Sequence, residues 1–255
     1  MKLTALVLPF LLWCTQAESA PSAEDILKAT DAVRNPGHPF SVTNALTEYR
    51  DGQQTGASIL KVYAKRDAAE AQFRSLIQFV APARDAQKLM LYNDRDLWFF
   101  DPSSKASVRL SPQQRLLGQA SNGDAVTVNL SNDYRPTLMG EEDITDGEHK
   151  ARHTYKLALA ARTPSATYDH IQLWVDTGDS QPIKALFFAA SGEMLKTAYF
   201  RRMQMQLGAM RPTETVIIDS LNPRWVTVMR YSDYAARDIP EIWMQRDYLP
   251  RFHPE

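Results

Sequence analysis

The side chains most capable of chemistry in this sequence are a group of methionines, a set of histidines and an acidic run. Met203 and Met205 share a face at strand spacing, with Met194 and Met210 nearby, and thioethers so placed could hold copper(I). Methionine is also a common filler of irregular apolar space, a role that suits an alternating strand better. His149 and His153 stand four apart, which on a helix would present both rings to one metal ion. Here they flank the start of a strand, with no carboxylate at a useful sequence spacing and with His170 remote, which disfavours metal or general-base work. Glu141, Glu142, Asp143 and Asp146 read as solvated surface, or as a docking edge for a basic partner. There is no nucleophile elbow, phosphate-binding glycine loop, dinucleotide glycine pattern or zinc-protease helix motif. Paired carboxylates on distant strands would leave no such trace. The balance nevertheless favours a binding protein over an enzyme, with no cofactor and no metal.

Whatever binds does so on a frame that composition constrains. The 255 residues carry 29 basic and 30 acidic side chains, a balance that gives nucleic acid no electrostatic footprint. Lys2, the apolar run from Leu3 to Cys14 and the small or polar Thr15, Gln16 and Ala17 read as a secretory signal over residues 1–17, cleaved after Ala17 or as late as Ala20. The run is too short to cross a bilayer core, which takes about 20 residues, so a soluble exported protein is expected. Cys14, the only cysteine, lies inside that signal, and the Leu11-Leu12-Trp13 before it lacks the small residue of a lipoprotein signal. Residues 18–255 therefore have no disulfide or thiolate to draw on, and a chain 44% hydrophobic over its full length must supply one core in one domain.

The elements follow from periodicity. Ser22 to Arg34 reads as a helix capped by Ser22, with Ile26, Ala29, Thr30 and Val33 on one face and Asn35-Pro36-Gly37 as its stop. From there the period becomes two. Between Ala69 and Val80 the odd positions, Phe73, Ile77 and Phe79 among them, are small or apolar while Glu70, Gln72, Arg74 and Gln78 are polar. The alternation returns in His153, Tyr155, Leu157 and Leu159, in Ile171, Leu173 and Val175, and in Leu195, Tyr199, Met203 and Met205. Further strands suit 41–49, 55–64, 87–92, 96–101, 183–190, 212–219 and 225–231, separated by turns such as Asp51-Gly52, Asn93-Asp94 and Ser191-Gly192. Short turns between successive strands make antiparallel neighbours, hence one large meandering sheet. Ser111-Pro112-Gln113-Gln114 predicts a short helix through Leu117, Asp124 could cap another ending near Asn132, and Pro240 opens a last helix with Ile239, Ile242, Trp243 and Leu249 on one face. A sheet this long curls. So few helices cover its concave side only in part, and an apolar cavity remains.

Leu97-Trp98-Phe99-Phe100-Asp101-Pro102, Val108-Arg109-Leu110-Ser111 with Gln113-Gln114-Arg115, the stretch Gly118 to Asp124, and Ile239-Pro240-Glu241-Ile242-Trp243 resemble the outer-membrane lipoprotein-sorting protein family, the LolA-like and LolB-like half-barrels. The resemblance runs in order through nearly all of residues 18–255. It implies an α+β, mainly antiparallel β fold: an incomplete β-barrel of roughly eleven strands around an apolar groove, with a helical lid. It also implies a periplasmic carrier or chaperone for a lipid, a lipoprotein acyl chain or another hydrophobic molecule. The expected partners are an acylated protein or lipid and either an inner-membrane export pump or an outer-membrane receptor, with the chain itself a monomer. The alternative is a sensor or interaction domain that docks on a membrane protein and that lipid only modulates.

On this reading the groove wall comprises Phe73, Ile77, Phe79, Tyr155, Leu157 and Leu159 with Ile171, Leu173, Val175, Tyr199 and Met203, although each would serve equally as sheet core. Trp98 and Phe100, on one side of their strand, join the wall or the core. Sheltering a chain of some sixteen carbons would gain roughly 12 kcal/mol at about 0.8 per methylene, too much to release unaided. A carrier therefore needs a movable cover, and the segment from Ser111 to Asn132 is the candidate.

Overall fold

The computed structural model describes residues 21–67, 69 and 72–253. The signal read at residues 1–17 lies outside them, as do Glu70 and Ala71 of the first alternating run. Helix α1 (Ala23–Arg34) begins where its cap places it, with the Ser22 hydroxyl accepting the Asp25 amide at 3.1 Å. Glu24 and Asp25 in its first turn and Arg34 in its last complement the helix dipole.

Six strands follow: β1 (Phe40–Arg50), β2 (Gln53–Arg66), β3 (Phe73–Ala81), β4 (Leu89–Asn93), β5 (Asp96–Asp101) and β6 (Ala106–Leu110). The chain then crosses the sheet through a small hairpin, β7 (Arg115–Leu117) and β8 (Ala120–Ser121), a 3-10 turn at Asn122–Ala125 and the single-turn helix α2 (Leu130–Asp133). Seven more strands complete the sheet: β9 (Tyr134–Thr145), β10 (Ala151–Ala161), β11 (His170–Asp176), β12 (Pro182–Phe188), β13 (Met194–Gln206), β14 (Ala209–Asp219) and β15 (Trp225–Ala236). Two 3-10 segments, Glu241–Met244 and Arg246–Arg251, end the described chain. No helix of the described residues is long and apolar enough to cross a membrane.

Thirteen strands form one antiparallel sheet in the order β6-β5-β4-β3-β2-β1-β15-β14-β13-β12-β11-β10-β9. Two meanders thus meet where the first strand pairs with the last, Leu46 facing Met229 across the join. The sheet curls but does not close, because β6 and β9 are its edges and do not pair. The count exceeds the expected eleven or so by these two edge strands. Neither shows the period-two signal. β6 is exposed along nearly its whole length, and β9 carries Pro136 and a Gly140 at φ 134° where the ladder slips against β10.

The helical expectations need correction. Ser111 to Gln114 forms a turn, with the Gln114 amide donating to the Ser111 carbonyl at 3.1 Å, and the chain then enters the β7–β8 hairpin rather than a helix. The helix expected from Asp124 is two separate pieces, the 3-10 turn and α2. After Pro240 the chain makes 3-10 segments held by aromatic packing, Tyr63 against Trp243 at 5.4 Å and Trp243 against Phe252 at 4.9 Å. That leaves Ile242 42% exposed, off the face of Ile239, Trp243 and Leu249. The cover is therefore mostly an irregular strap with α1 beside it.

Apolar residues line both sides of the sheet. On the concave side, Leu46, Leu60, Phe73, Ile77 and Met229 form one cluster and Leu157, Leu159, Ile171, Leu173 and Val175 another. Phe187 and Phe200 touch both. Helix α1 plants Ile26 and Leu27 on the second cluster, each contributing about 1.5–3 kcal/mol by burial. On the convex side of β2–β5 the C-terminal segment covers Tyr63, Leu76, Leu89, Leu91 and Phe100.

Candidate functional site

The strap from Ser111 to Asp133 is tied to the sheet at several points. Gln119 donates its amide to Thr227 Oγ1 at 2.7 Å. That approach requires glycine next door: a Cβ on Gly118, at φ 55°, would lie 2.2 Å from the same oxygen. Farther along, the buried Gln72 carboxamide accepts the Asn129 amide at 2.7 Å and donates to the Asn129 carbonyl and Asp133 Oδ1, both at 3.1 Å. Asp31 of α1 caps α2, accepting the amides of Leu130 at 2.9 Å and Ser131 at 2.8 Å. Burial raises the Asp31 pKa, with Arg34 and those amides opposing the rise.

Between strap and sheet lies a cavity of about 110 Å³. Its sheet side includes Ile171, Leu173, Ala185, Phe187, Ala198 and Ile217, and Val126, Val128 and Leu130 close it from the strap. A second cavity of about 100 Å³ adjoins it under β1, β2 and β15, lined by Val42, Asn44, Val62 and Tyr234. Arg34, Asp124, Phe200, Thr215 and Tyr231 face both. Each is smaller than the roughly 300 Å³ at which ordinary ligand pockets begin. A short apolar stretch fits as the strap stands, and a longer chain requires the strap to lift.

One ion pair fastens strap to sheet. Lys196 of β13 is only 3% exposed, and its ammonium lies 2.5 Å from Asp124 Oδ2 and donates to the Gln119 carbonyl at 2.8 Å. It also sits 4.9 Å from the Tyr168 ring centre, and the Tyr168 hydroxyl donates to Asp124 Oδ1 at 2.8 Å. Burial pulls the Lys196 pKa down while the Asp124 carboxylate pulls it back up. Burial, reinforced by Asp124, pushes the Tyr168 hydroxyl well above its usual value. Breaking such a pair from one side costs about 3–5 kcal/mol, because the remaining charge stays buried.

The residues named as a groove wall do not all meet here. Ile171 and Leu173 line the first cavity. Phe73 and Ile77 lie in the concave core beneath the β1–β4 half, with Phe79 beside them against Phe99. Leu157, Leu159 and Val175 are packed under α1, and Tyr155 lies against them. Phe100 and Trp98 face the other side of the sheet, where the C-terminal segment covers them and the Arg246 guanidinium sits 4.7 Å over Trp98. Tyr199 also points outward, toward the Lys184 ammonium, because its neighbours Ala198 and Phe200 face in. Met203 is half-buried opposite Pro212.

The missed wall residues Ala198 and Phe200 sit on the even positions of β13, in the same row as Lys196. A lysine in that series disguised the inward face. Ala185 and Phe187 alternate in the same way within β12, where the sequence does predict a strand.

The chemical candidates are also placed. Met205 faces Met210 across the β13–β14 hairpin, 64% exposed. No group of three His, Cys, Asp or Glu able to hold a metal occurs among the described residues. His153 does have carboxylate neighbours, which sequence spacing could not reveal: pairing of β9 with β10 brings Asp143 to 2.7 Å of Nδ1 and Glu141 to 2.9 Å of Nε2. Asp146 is buried in the β9–β10 turn, accepting the amides of Glu148 and Lys150 at 2.8 and 2.9 Å, rather than solvated.

Comparison with known proteins agrees with this architecture. A model of an uncharacterized protein family matches residues 71–251. Among solved structures, a LolA superfamily protein from Nitrosomonas europaea is 34% identical, with a TM-score of 0.80 over 90% of this chain and 100% of its own. A DUF1329 family protein from Desulfovibrio piger is 19% identical, with a TM-score of 0.75 over 89% of this chain and 97% of its own. A domain described as an outer membrane lipoprotein-sorting protein, from Vibrio parahaemolyticus, is 15% identical, with a TM-score of 0.75 over 90% of this chain and 98% of its own. No curated protein matches the chain.

Proposed function

The chain belongs to the LolA superfamily, and from that premise we propose that it is a periplasmic carrier that shelters an acyl chain or similar hydrophobic group between its sheet and its strap. The observation that carries this reading is the pair of adjoining cavities on the concave face, roofed by a segment that one buried ion pair holds down. Apolar wall gives affinity without direction, so a cargo is held by burial at about 0.8 kcal/mol per methylene and is freed when the roof lifts. The cavities are small because the strap is seated. Raising it joins them and uncovers Phe187 and Phe200, which bridge the two apolar clusters. The relative from Vibrio parahaemolyticus is described as a sorting domain for outer membrane lipoproteins, and we extend to this chain the transfer of an acylated cargo between envelope sites.

The test is gentle purification of the secreted protein, followed by native mass spectrometry and organic extraction. A co-purifying lipid, acylated peptide or hydrophobic product is expected. An empty protein that also fails to take up a fluorescent fatty acid would overturn the carrier reading and favour a domain that docks on a membrane protein.

A further inference from the structure

The second cavity differs from the first in what its wall lacks. Asn44 of β1 is 1% exposed and faces this cavity, and its Oδ1 accepts no hydrogen bond from any described residue. A buried acceptor without a donor is costly, and a wall that holds one is suited to a ligand that brings a donor. Thr215, Tyr231 and Tyr234 line the same cavity, with Thr215 Oγ1 3.5 Å from the Tyr231 hydroxyl. The charges that reach the cavity are already matched: Arg34 lies 3.3 Å from Asp31, and Asp124 holds Lys196 at 2.5 Å. A charged head group entering here would lose water and find no free counter-charge. A neutral one would lose less and could both donate to Asn44 and accept from a hydroxyl among those lining residues.

Resting on the carrier reading above, we propose that this cavity is a head-group subsite for an uncharged, hydroxyl-bearing amphiphile, whose hydroxyl donates to Asn44 Oδ1 while its apolar body extends into the first cavity. The size agrees. A water molecule occupies about 30 Å³ of liquid, so a hydroxyl and its first methylenes fit in the space present. The direction of entry follows, polar end first toward β1 and β2, with the tail leading back beneath the strap toward β11 and β12.

The experiment compares hexadecanol, palmitate and hexadecyltrimethylammonium as competitors of a fluorescent apolar probe, at about pH 8 where carboxylates are ionised. Hexadecanol is expected to bind about tenfold or more tighter than either charged analogue. Asn44→Leu keeps the volume but removes the acceptor, so it is expected to erase that advantage while leaving the melting temperature equal or higher, since an unsatisfied buried group has gone. If the three ligands bind equally, or if Asn44→Leu keeps the preference, Asn44 serves a water only and the subsite assignment falls while the carrier reading stands. If none of the three displaces the probe, the carrier reading itself fails. Asn44→Ser, smaller but still able to accept, is the second variant. It is expected to retain part of the preference, and its loss of preference together with normal folding would count against a hydrogen bond at this atom.

Discussion

Lys196 and Asp124 meet as a buried ion pair at 2.5 Å, one residue from the sheet and the other from the strap that crosses it. Asp124→Ala would leave the ammonium buried with the Gln119 carbonyl as its remaining hydrogen-bond acceptor, so stability should fall by about 3–5 kcal/mol in urea titrations. The paired change Lys196→Met with Asp124→Leu should recover most of that loss, because a well-packed apolar replacement of a buried pair is close to neutral. If Asp124→Ala unfolds at the wild-type midpoint, the pair is not what fastens the strap.

Filling the first cavity should block cargo without dismantling the sheet. Ala198→Phe places a ring where Ala185, Phe187 and Ile217 converge, and should abolish uptake of a fluorescent fatty acid at a stability cost of about 1–3 kcal/mol. Leu157→Ala, under α1 and away from the cavities, should cost about 2–5 kcal/mol yet leave binding by the folded fraction unchanged. Equal effects of the two substitutions on binding would mean that the cavity is not the site.

The strap's close approach to the loop before β11 rests on Gly123, where an added Cβ would lie 2.1 Å from Thr167 Oγ1. Gly123→Ala must therefore push strap and loop apart. Limited proteolysis should cut within residues 111–133 several-fold faster than in the wild type, with the sheet core still resistant. Cleavage at an unchanged rate would show that the loop yields instead of the strap.

His153 provides a pH-dependent contact at the sheet edge. Hydrogen bonds to Asp143 and Glu141 raise its pKa above the usual 6.5. A raised folded value means that the contact's contribution is fully present below about pH 6.5 and is lost as pH rises through the folded pKa. Histidine ring signals followed by NMR should place the His153 titration above 6.5, and Asp143→Asn with Glu141→Gln should bring it down. A His153 that titrates identically in the wild type and the double variant would refute the assignment.

The sequence displayed the meander and hid its faces. The turns at Asp51-Gly52 and Ser191-Gly192 and the Ser22 cap all stand where their chemistry placed them. The inward row of β13 is hidden because it contains Lys196, whose charge is neutralised by Asp124, far away in sequence. Trp98 and Phe100 read equally as wall or core because an apolar row does not say which side covers it, and the C-terminal segment that decides the matter is more than a hundred residues away. Asn44 gave no signal at all. A lone asparagine in a strand acquires meaning only from the missing donor around it.

The unpaired edges have a mechanical consequence. A closed barrel has a circumference set by its strand number and stagger, and widening it breaks a row of ladder hydrogen bonds. Here β6 and β9 are free to move apart, so the sheet behaves as a split ring whose bore widens by bending across all thirteen strands with every ladder intact. The strap is then the clasp across the gap, and on the carrier reading proposed above the girth of a cargo, rather than the resting volume of either cavity, would set how far the ring is sprung.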